Sequence, residues 1–304
     1  MNLTKKDIIN IIKNWDVGQL KNYTLLYSHW NLSYKITTTK GIFILKVLIM
    51  QKEETLKKEL KVLSLLKGKV PIRLLIKSKS GRDYIIIKKH PVLIFEFIDG
   101  IILKDGSKAS LCILKELGKY LALIHETKYG EGKTTDVLKE ISGIMYKINK
   151  SSLEYMSISK CMKVIKKRGL DKQKFPKGLI HGDIHSENMI VKNDKIVALL
   201  DFEDANINYF VYDIGLVILD TCFIRNKDLS KKRINTFLEG YEGIRPLKNV
   251  EKRYIYDVIL INWMRILYYS LIKGGVDKDI LKTEFMKDYF KRVNSLMGIM
   301  EKGD

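Results

Sequence analysis

The first 100 residues of the chain alternate between short β-like runs and helix-like stretches. A helical pattern that Thr4 can cap ends near Trp15, and a second one, Glu53–Leu66, repeats leucines at the spacing of one helix face. The resulting order β-β-β-α-β-β-β predicts one antiparallel sheet with a helix packed across it. The predicted strands are Tyr23–Ser28, Ser33–Thr38, Ile42–Leu48, Val70–Ile76, Tyr84–Lys88 and Val92–Phe97.

Long helical patterns dominate after Gly100, and the chain reads as helical again from Leu216 onward. Between these stretches, residues 178–202 are rich in β-forming side chains. This change predicts an α+β protein with a small sheet-based lobe at residues 1–97 and a larger, mainly helical lobe at residues 98–304. The clearest helices predicted in the larger lobe are Lys108–Thr127, Val137–Tyr146, Leu153–Lys167 and Val258–Ile272.

The net charge of +20 raises the question of an anionic partner. The lysines, however, are spread from Lys5 to Lys302 and commonly stand beside acidic residues. A lysine-rich solvated surface and an anionic ligand both remain open, and nucleic-acid binding is not expected.

The cysteines and the apolar segments predict a cytoplasmic protein. The three cysteines are widely spaced and form no CxxC motif, as is typical of a reducing compartment. The first residues lack the apolar core of a signal peptide, and Val258–Ile272 contains Asn262 and Arg265 and is too short to span a bilayer. Oligomeric state does not follow from the sequence.

The richest chemistry lies in the stretch "LIHGDIHSENMIV" at residues 179–191. Of the five histidines, His181 and His185 flank Asp183, and Asn188 follows. A zinc site is one interpretation, because ligands two residues apart on a strand share a face. The other histidines lack matching spacing, so this interpretation has no further obvious ligands.

The next stretch, "IVALLDFEDA", favours a different metal. Two β-like segments, Met189–Val191 and Ile196–Leu200, are joined by the turn "KNDK". A hairpin of this kind would bring Asp183, Asn188 and Asp201 to one of its ends. Carboxylate and amide oxygens are hard ligands, which suit Mg²⁺ better than zinc.

Together, "HGDIHSENMIV" and "ALLDFED" resemble the catalytic loop and metal-binding segment of the aminoglycoside phosphotransferase-like kinases, small-molecule relatives of the protein kinases. The resemblance implies a protein-kinase-like bilobal fold that uses ATP and Mg²⁺. It further implies that Asp183 accepts the proton of the attacking hydroxyl, while Asn188 and Asp201 hold the metal. Glu203 stands where protein kinases have the glycine of DFG, which argues against a protein kinase.

The same resemblance assigns roles in the small lobe. Lys46, in "IFILKV", would bind the α- and β-phosphates and needs a carboxylate from the following helix to orient it. Glu59 is the preferred partner, with Glu54 as the alternative. Glu96 and Phe97 belong to the segment that would present backbone groups to adenine.

Three further features follow from the resemblance. His181 and Asp213 would support the catalytic loop, and Asp213 could equally serve as a helix N-cap. The loop Ser28–Asn31, "SHWN", would cover the phosphates, although it has no glycine.

Several stretches resemble the homoserine kinases of this superfamily, among them "HPVLIFEFIDG", "YDIGLVILDTCF" and "FLEGYEGIRPL". They imply a small hydroxylated acceptor, with homoserine first and an aminoglycoside, choline or a sugar as alternatives. Arg265, in an apolar helix, would bind the acceptor carboxylate or pair with an interior acid such as Asp220. An alternative of another class is a non-catalytic nucleotide- or anion-binding protein.

Overall fold

The structure is a computed structural model that describes residues 3–27, 31–132, 134–145, 150, 153–224, 228–272 and 284–301. The chain divides into two compact units. The first comprises Met1–Ile101 together with Val197–Glu203, and the second comprises Ile102–Ile196 with Asp204–Asp304. The sequence predicts a lobe boundary between residues 97 and 98. The assignment of separate functions to the two lobes stays a prediction.

The first unit is built on one antiparallel sheet, whose strands in spatial order are β1 (Leu20–Tyr27), β2 (Asn31–Thr38), β3 (Gly41–Leu48), β6 (His90–Glu96) and β4 (Leu75–Ile76). Strand β5 (Ile85–Ile87) also pairs with β6. Thr4 caps the first helix in a capping box with Asp7, as the sequence predicts for that residue. The elements are α1 (Lys5–Ile12), β1 (Leu20–Tyr27), β2 (Asn31–Thr38), β3 (Gly41–Leu48), α2 (Glu53–Leu66), β4 (Leu75–Ile76), β5 (Ile85–Ile87), β6 (His90–Glu96) and β7 (Ile101–Ile102).

The two faces of this sheet bury different side chains. Leu45 and Val47 of β3 pack with α1 and Trp15. The alternate residues Ile44 and Leu48 pack in a second cluster that includes Leu56 of α2. Because side chains alternate along a strand, Lys46 shares the face that carries α2.

The second unit is mainly helical. Helices α3 and α7 cross closely, since a Cβ added at Gly118 would overlap the backbone of Phe237 and one at Gly240 would overlap the backbone of Lys115. Strands β8 and β11 pair antiparallel. The remaining elements are α3 (Leu111–His125), α4 (Val137–Ile144), α5 (Leu153–Arg168), β8 (Lys177–Ile180), β9 (Met189–Lys192), β10 (Lys195–Leu199), β11 (Asn206–Tyr209), α6 (Phe210–Thr221), β12 (Phe223–Ile224), β13 (Asp228–Leu229), α7 (Lys231–Glu242), α8 (Asn249–Arg253), α9 (Ile255–Ile272) and α10 (Glu284–Glu301).

Two of the predicted strand and helix boundaries differ from the structure by more than three residues. The predicted strand Val70–Ile76 is reduced to its last two residues, and Ile72 forms an isolated parallel bridge with Leu199 instead. Helix α6 begins at Phe210, before the predicted helical onset at Leu216. Within the described part of the chain, no helix has the length and apolar character needed to cross a membrane.

Candidate active site

Lys46 is the centre of a charged group in the first unit. Its Nζ lies 3.5 Å from Oδ1 of Asp201, and 19% of its side chain is exposed. Burial opposes the charged form, but the carboxylates of Glu59, Asp201 and Glu203 outweigh it and hold the pKa of Lys46 above its usual value. Lys46 is therefore a fixed positive charge over the physiological pH range.

The two glutamates considered as partners of Lys46 lie in different environments. Glu59 is buried on α2 and accepts a hydrogen bond of 2.9 Å from Nε2 of Gln51, whereas Glu54 is exposed. Of the two, only Glu59 is among the charges that raise the pKa of Lys46. Its role in orienting Lys46 toward phosphates stays a prediction.

Glu96 and Phe97 lie at the end of β6. Glu96 exchanges backbone and side-chain hydrogen bonds with Leu74: its N–H donates to Leu74 O at 2.9 Å, and its Oε1 accepts from Leu74 N at 3.1 Å. The ammonium group of Lys35 lies over the Phe97 ring, 4.4 Å from the ring centroid. Their predicted role toward adenine is not tested by these contacts. Most of the predicted phosphate loop, residues 28–30, lies outside the described residues.

Arg73 is a cation of the first unit that the sequence reasoning missed. Burial lowers the pKa of its guanidinium, and the charges of Glu96 and Asp201 oppose that shift. Its Nε is buried and has no hydrogen-bond partner within the described residues. A single arginine in the apolar stretch "IRLLI" gives no periodic or motif signal that could have singled it out.

In the second unit, Asp183 presents a partly exposed carboxylate from the loop after β8. Its side chain is 43% exposed, and its Oδ2 lies 3.4 Å from Nε2 of His185. Burial would raise the pKa of Asp183, but the hydrogen bond and charge of His185, with smaller effects of His181 and Arg265, lower it. The carboxyl group is therefore ionised at neutral pH.

Asn188 ties this loop together from its other end. Its Nδ2 donates to the backbone oxygen of Asp183 at 2.8 Å and to Oδ2 of the same residue at 3.2 Å, and it lies 3.0 Å from Nε2 of His185. Because the loop uses the amide nitrogen, the amide oxygen is the atom that Asn188 can offer to a metal ion.

Asp213 holds the backbone just before Asp183. Its Oδ2 accepts from His181 N at 2.7 Å and its Oδ1 accepts from Gly182 N at 3.0 Å. Gly182 has φ +86°, and a Cβ there would overlap the backbone of Asp204, so this position requires glycine. His181 itself is fully buried. Asp213 and His181 are thus both buried next to the backbone that precedes Asp183, and their predicted role in supporting a catalytic loop stays a prediction.

A buried hydrogen-bond network continues from Asp213, and the sequence reasoning missed it. Nε2 of His125 lies 3.2 Å from Oδ2 of Asp213, and Nδ1 of His125 lies 2.7 Å from the hydroxyl of Tyr241. Burial lowers the pKa of His125, so the ring is neutral, with Nε2–H donating to Asp213 and Nδ1 accepting from Tyr241. Arg245 donates to the Tyr241 hydroxyl and forms a two-fold hydrogen-bonded pair with the buried Glu251.

Arg265 contacts the loop around Asp183 directly. Its Nη2 donates to Gly182 O at 2.7 Å, and its charge contributes to the lowered pKa of Asp183. Asp220, the interior acid considered as its partner, instead accepts the N–H of Ser186 at 2.7 Å and is influenced by the charges of His185 and Arg292. The suggested pairing of Arg265 with Asp220 is thus replaced by a contact with Gly182.

The predicted metal ligands each have suitable chemistry. Asp201 has a carboxylate that is 41% exposed and a backbone φ of +61°, a left-handed conformation that costs a non-glycine residue free energy and is often found at functional sites. Asp201 belongs to the first compact unit, and Asp183 and Asn188 belong to the second. The convergence of these residues on one ion stays a prediction.

The alternative zinc site gains no support. Among the residues that the structure describes, no group of three or more histidine, cysteine and acidic side chains is arranged to hold a metal ion. The cysteines Cys112, Cys161 and Cys222 are all free thiols.

The sequence matches a known family over most of its length. The model of the phosphotransferase enzyme family matches residues 29–247. A homoserine kinase of Methylobacillus flagellatus is 25% identical over 260 residues, covering 79% of this chain and 76% of the relative. A homoserine kinase of Agrobacterium fabrum is 25% identical over 259 residues, covering 82% of this chain and 79% of the relative.

Solved structures share the fold at lower sequence identity. A microcompartment-associated aminopropanol kinase superposes with a TM-score of 0.72 at 17% identity, covering 97% of this chain and 95% of that one. A spectinomycin phosphotransferase in complex with ADP and spectinomycin superposes with a TM-score of 0.70 at 16% identity, covering 99% of both chains. The predicted α+β, protein-kinase-like fold is confirmed. The chain therefore belongs to the phosphotransferase enzyme family, in which it is a small-molecule kinase.

Proposed function

We propose that this kinase transfers the γ-phosphate of ATP to the hydroxyl of a small amino alcohol, with L-homoserine as the first acceptor to test. The observation that carries the proposal is the loop around Asp183. It holds an ionised, partly exposed carboxylate between two hydrogen-bonded supports, Asn188 and Asp213. A carboxylate placed in this way can align a hydroxyl nucleophile and accept its proton.

The first unit would supply the nucleotide-binding groups. Lys46, whose charge is maintained by Glu59 and Asp201, would bind the α- and β-phosphates, and Glu96 and Phe97 would lie along the adenine. ADP in the spectinomycin phosphotransferase structure supports an adenine nucleotide as the donor.

Mg²⁺ is the proposed metal, held by the carboxylate of Asp201 and the amide oxygen of Asn188. When bound, it would neutralise charge on the phosphate oxygens. The chain's own contribution is to keep these two oxygen donors available: Asp201 is partly exposed, and the loop around Asp183 uses the Asn188 nitrogen.

An amino alcohol is the proposed acceptor class because relatives and structural neighbours are named for such molecules. These include homoserine and aminopropanol. The charge of the chain argues in the same direction, because a net charge of +20 repels a polycationic antibiotic at long range and affects a zwitterion little. Homoserine is therefore preferred over an aminoglycoside, choline or a sugar.

The test is Mg²⁺-dependent conversion of ATP to ADP with each candidate acceptor, followed by mass spectrometry of the product. L-homoserine should give O-phosphohomoserine. If homoserine gives no phosphorylated product while aminopropanol, choline, a sugar or spectinomycin does, the homoserine assignment is wrong and the kinase assignment stands. Absence of transfer to any acceptor, together with tight ATP binding, would favour a non-catalytic nucleotide-binding protein.

Arg265 offers a second test of the acceptor. If it binds the acceptor carboxylate, R265A should raise KM for homoserine about ten- to a hundredfold, as expected for a lost charge-assisted contact. If its contact with Gly182 O is its main role, R265A should lower kcat instead. Homoserine methyl ester, which lacks the negative charge, should respond little to R265A in the first case and as strongly as homoserine in the second.

A further inference from the structure

Helix α6 carries two aspartates that contact the catalytic loop at different points. Asp213 accepts the N–H groups of His181 and Gly182, before Asp183. Asp220 accepts the N–H of Ser186, after Asp183, at 2.7 Å from its Oδ2. Seven residues separate the two aspartates, which is about two helical turns or about 10 Å, so both side chains leave nearly the same face of the helix.

Asp220 is tightly enclosed by the segment around Gly106. A Cβ added at Gly106 would lie 2.5 Å from Oδ2 of Asp220 and 2.7 Å from its backbone oxygen. Arg233 fixes this arrangement, because it donates to Gly106 O at 3.1 Å and to Thr221 O at 2.7 Å. The carboxylate therefore has little room to turn away from Ser186.

The N–H that Asp220 accepts belongs to the start of a short 3-10 turn, Ser186–Asn188. Ser186 is buried, and Asn188 N donates to His185 O at 2.9 Å within the same turn. Fixing Ser186 thus fixes the turn that delivers Asn188. The carboxyl oxygen of Asp220 accepts this N–H directly; burial raises the pKa of the group, and the hydrogen bond from Ser186 opposes that shift.

We propose that Asp220 is a positioning residue for phosphoryl transfer, which holds the far end of the catalytic loop through Ser186 N–H while Asp213 holds the near end. The inference rests on the proposed function, in which Asp183 and Asn188 act from this loop. Asp220 acts through Ser186 and Asn188 and needs no contact with substrate.

The first experiment compares D220A with D220N. In D220A, kcat should fall about ten- to a hundredfold, the usual scale for a misplaced catalytic group, while KM for the acceptor changes less than about threefold. The amide oxygen of D220N can still accept from Ser186, so this variant should recover most of the lost turnover. Equal losses in D220A and D220N would contradict a hydrogen-bonding role.

The second experiment removes the donor instead of the acceptor. S186P and S186A both lose the hydroxyl, but only S186P loses the N–H. Ser186 is the first residue of the turn and His185 before it is extended, the local positions that best accommodate proline and the residue preceding it. We expect kcat of S186P to lie at least about tenfold below that of S186A. Equal kcat values would overturn the proposal.

G106A tests the same contact from the opposite side and decides the question if S186P does not fold. Gly106 does not have a positive φ, so its own backbone accepts alanine, whose Cβ would press on both the carboxylate and the backbone oxygen of Asp220. It should lower kcat as D220A does, with the acceptor KM again nearly unchanged. Wild-type kcat in G106A would contradict the proposed constraint on Asp220.

Hydrogen exchange in the nucleotide-free protein provides a readout that does not depend on turnover. The peptide containing residues 181–188 should exchange faster in D220A than in the wild type, and D183N should leave this exchange slow. Unchanged exchange in D220A would overturn the inference. Wild-type turnover in D183N would instead overturn the proposed function, so the two failures are distinguishable.

Discussion

Lys46 in the first unit is held mainly by charges, whereas the loop around Asp183 in the second unit is held by short hydrogen bonds to buried carboxylates. Lys46 forms an ion pair with Asp201 at 3.5 Å, and the charges of Glu59 and Glu203 also act on it. Asp213, by contrast, accepts two backbone N–H groups within 3.0 Å and is almost completely buried.

The difference indicates how each region can respond to change. Coulomb interactions fall slowly with distance, so a lysine held by several charges keeps its ionisation when it moves by an ångström. The strength of a hydrogen bond depends steeply on distance and angle. A small displacement of a loop held by such bonds therefore breaks them and disrupts the function of the loop. We therefore expect substitutions near Lys46 to act through charge and substitutions near Asp183 to act through geometry.

The largest effect is expected for D201A, which removes both a proposed metal ligand and the ion-pair partner of Lys46. Mg²⁺-dependent turnover should fall at least about a thousandfold, the upper range for loss of a charge-stabilising group. The pKa of Lys46 should also fall, because Asp201 helps to raise it. Steady-state kinetics across Mg²⁺ concentrations, with amine-specific labelling of Lys46, checks both points. Turnover at the wild-type level would exclude Asp201 as a ligand.

D183N should lower phosphoryl transfer by about two to four orders of magnitude, the range for loss of a positioned base. Nucleotide binding should survive, because the proposed nucleotide-binding side chains lie in the other unit. Calorimetric titration with a non-hydrolysable ATP analogue measures binding, and single-turnover assays measure transfer. Loss of ATP binding would show that Asp183 is structural and would remove the contrast between the two regions.

The third prediction concerns D213N, for which we expect a smaller effect, namely a loss of stability. The amide can replace only part of the acceptor capacity of the carboxylate, and its own N–H₂ would face the donors of the loop. We expect the free energy of unfolding to fall by about 3 kcal/mol, as for loss of charged hydrogen bonds in a buried site. Urea denaturation measures the change. A loss below about 0.5 kcal/mol, as is usual at exposed positions, would show that the loop does not depend on this carboxylate.

The smallest effect concerns the pH dependence of stability through His125. Burial lowers its pKa in the folded protein, so the unfolded chain binds the proton more readily. Stability from this residue is therefore complete above the unfolded pKa of about 6.5 and is lost as pH falls below that value. The stability difference between the wild type and H125Q should shrink by about 1 kcal/mol between pH 7 and pH 5.

The comparison with H125Q is needed because the stability contribution of His185 changes with pH in the opposite direction. Its pKa is raised: burial opposes the charged form, but Asp183 outweighs it, so its contribution is present at low pH and fades as pH rises through the folded pKa. Subtracting the H125Q curve removes this contribution, since His185 is common to both proteins. A constant difference across the pH range would show that burial does not lower the pKa of His125 in the folded protein.

Sequence patterns were sufficient to predict the helices and turns that are determined by residues close together in the chain. Helix α2 begins and ends at the residues predicted from its leucine period. The turn between β9 and β10 has left-handed backbone at Asn193 and Asp194, as a tight hairpin requires. The loop around Asp183 was visible as a candidate site because its residues are adjacent in sequence.

The hydrogen-bond network behind this loop could not be predicted in the same way. His125 is 88 residues from Asp213 and 116 residues from Tyr241, and no local period connects them. The predicted strand Val70–Ile76 was too long for a related reason, since only Leu75–Ile76 forms a strand. An apolar run is compatible with a strand, but Ile72 finds its partner in the distant Leu199, and Pro71 offers no N–H to a ladder.

The close crossing of α3 and α7 changes what the stretch "FLEGYEGIRPL" says about the acceptor. Gly240 permits the contact with Lys115, Tyr241 donates to His125, and Arg245 pairs with Glu251. Each of these residues maintains the scaffold, so the stretch should persist among enzymes whose acceptors differ. Its value for classifying other sequences is as a marker of this helix pair. Residues that discriminate among acceptors should be sought around Asp183 and Arg265, where natural variation would track the substrate.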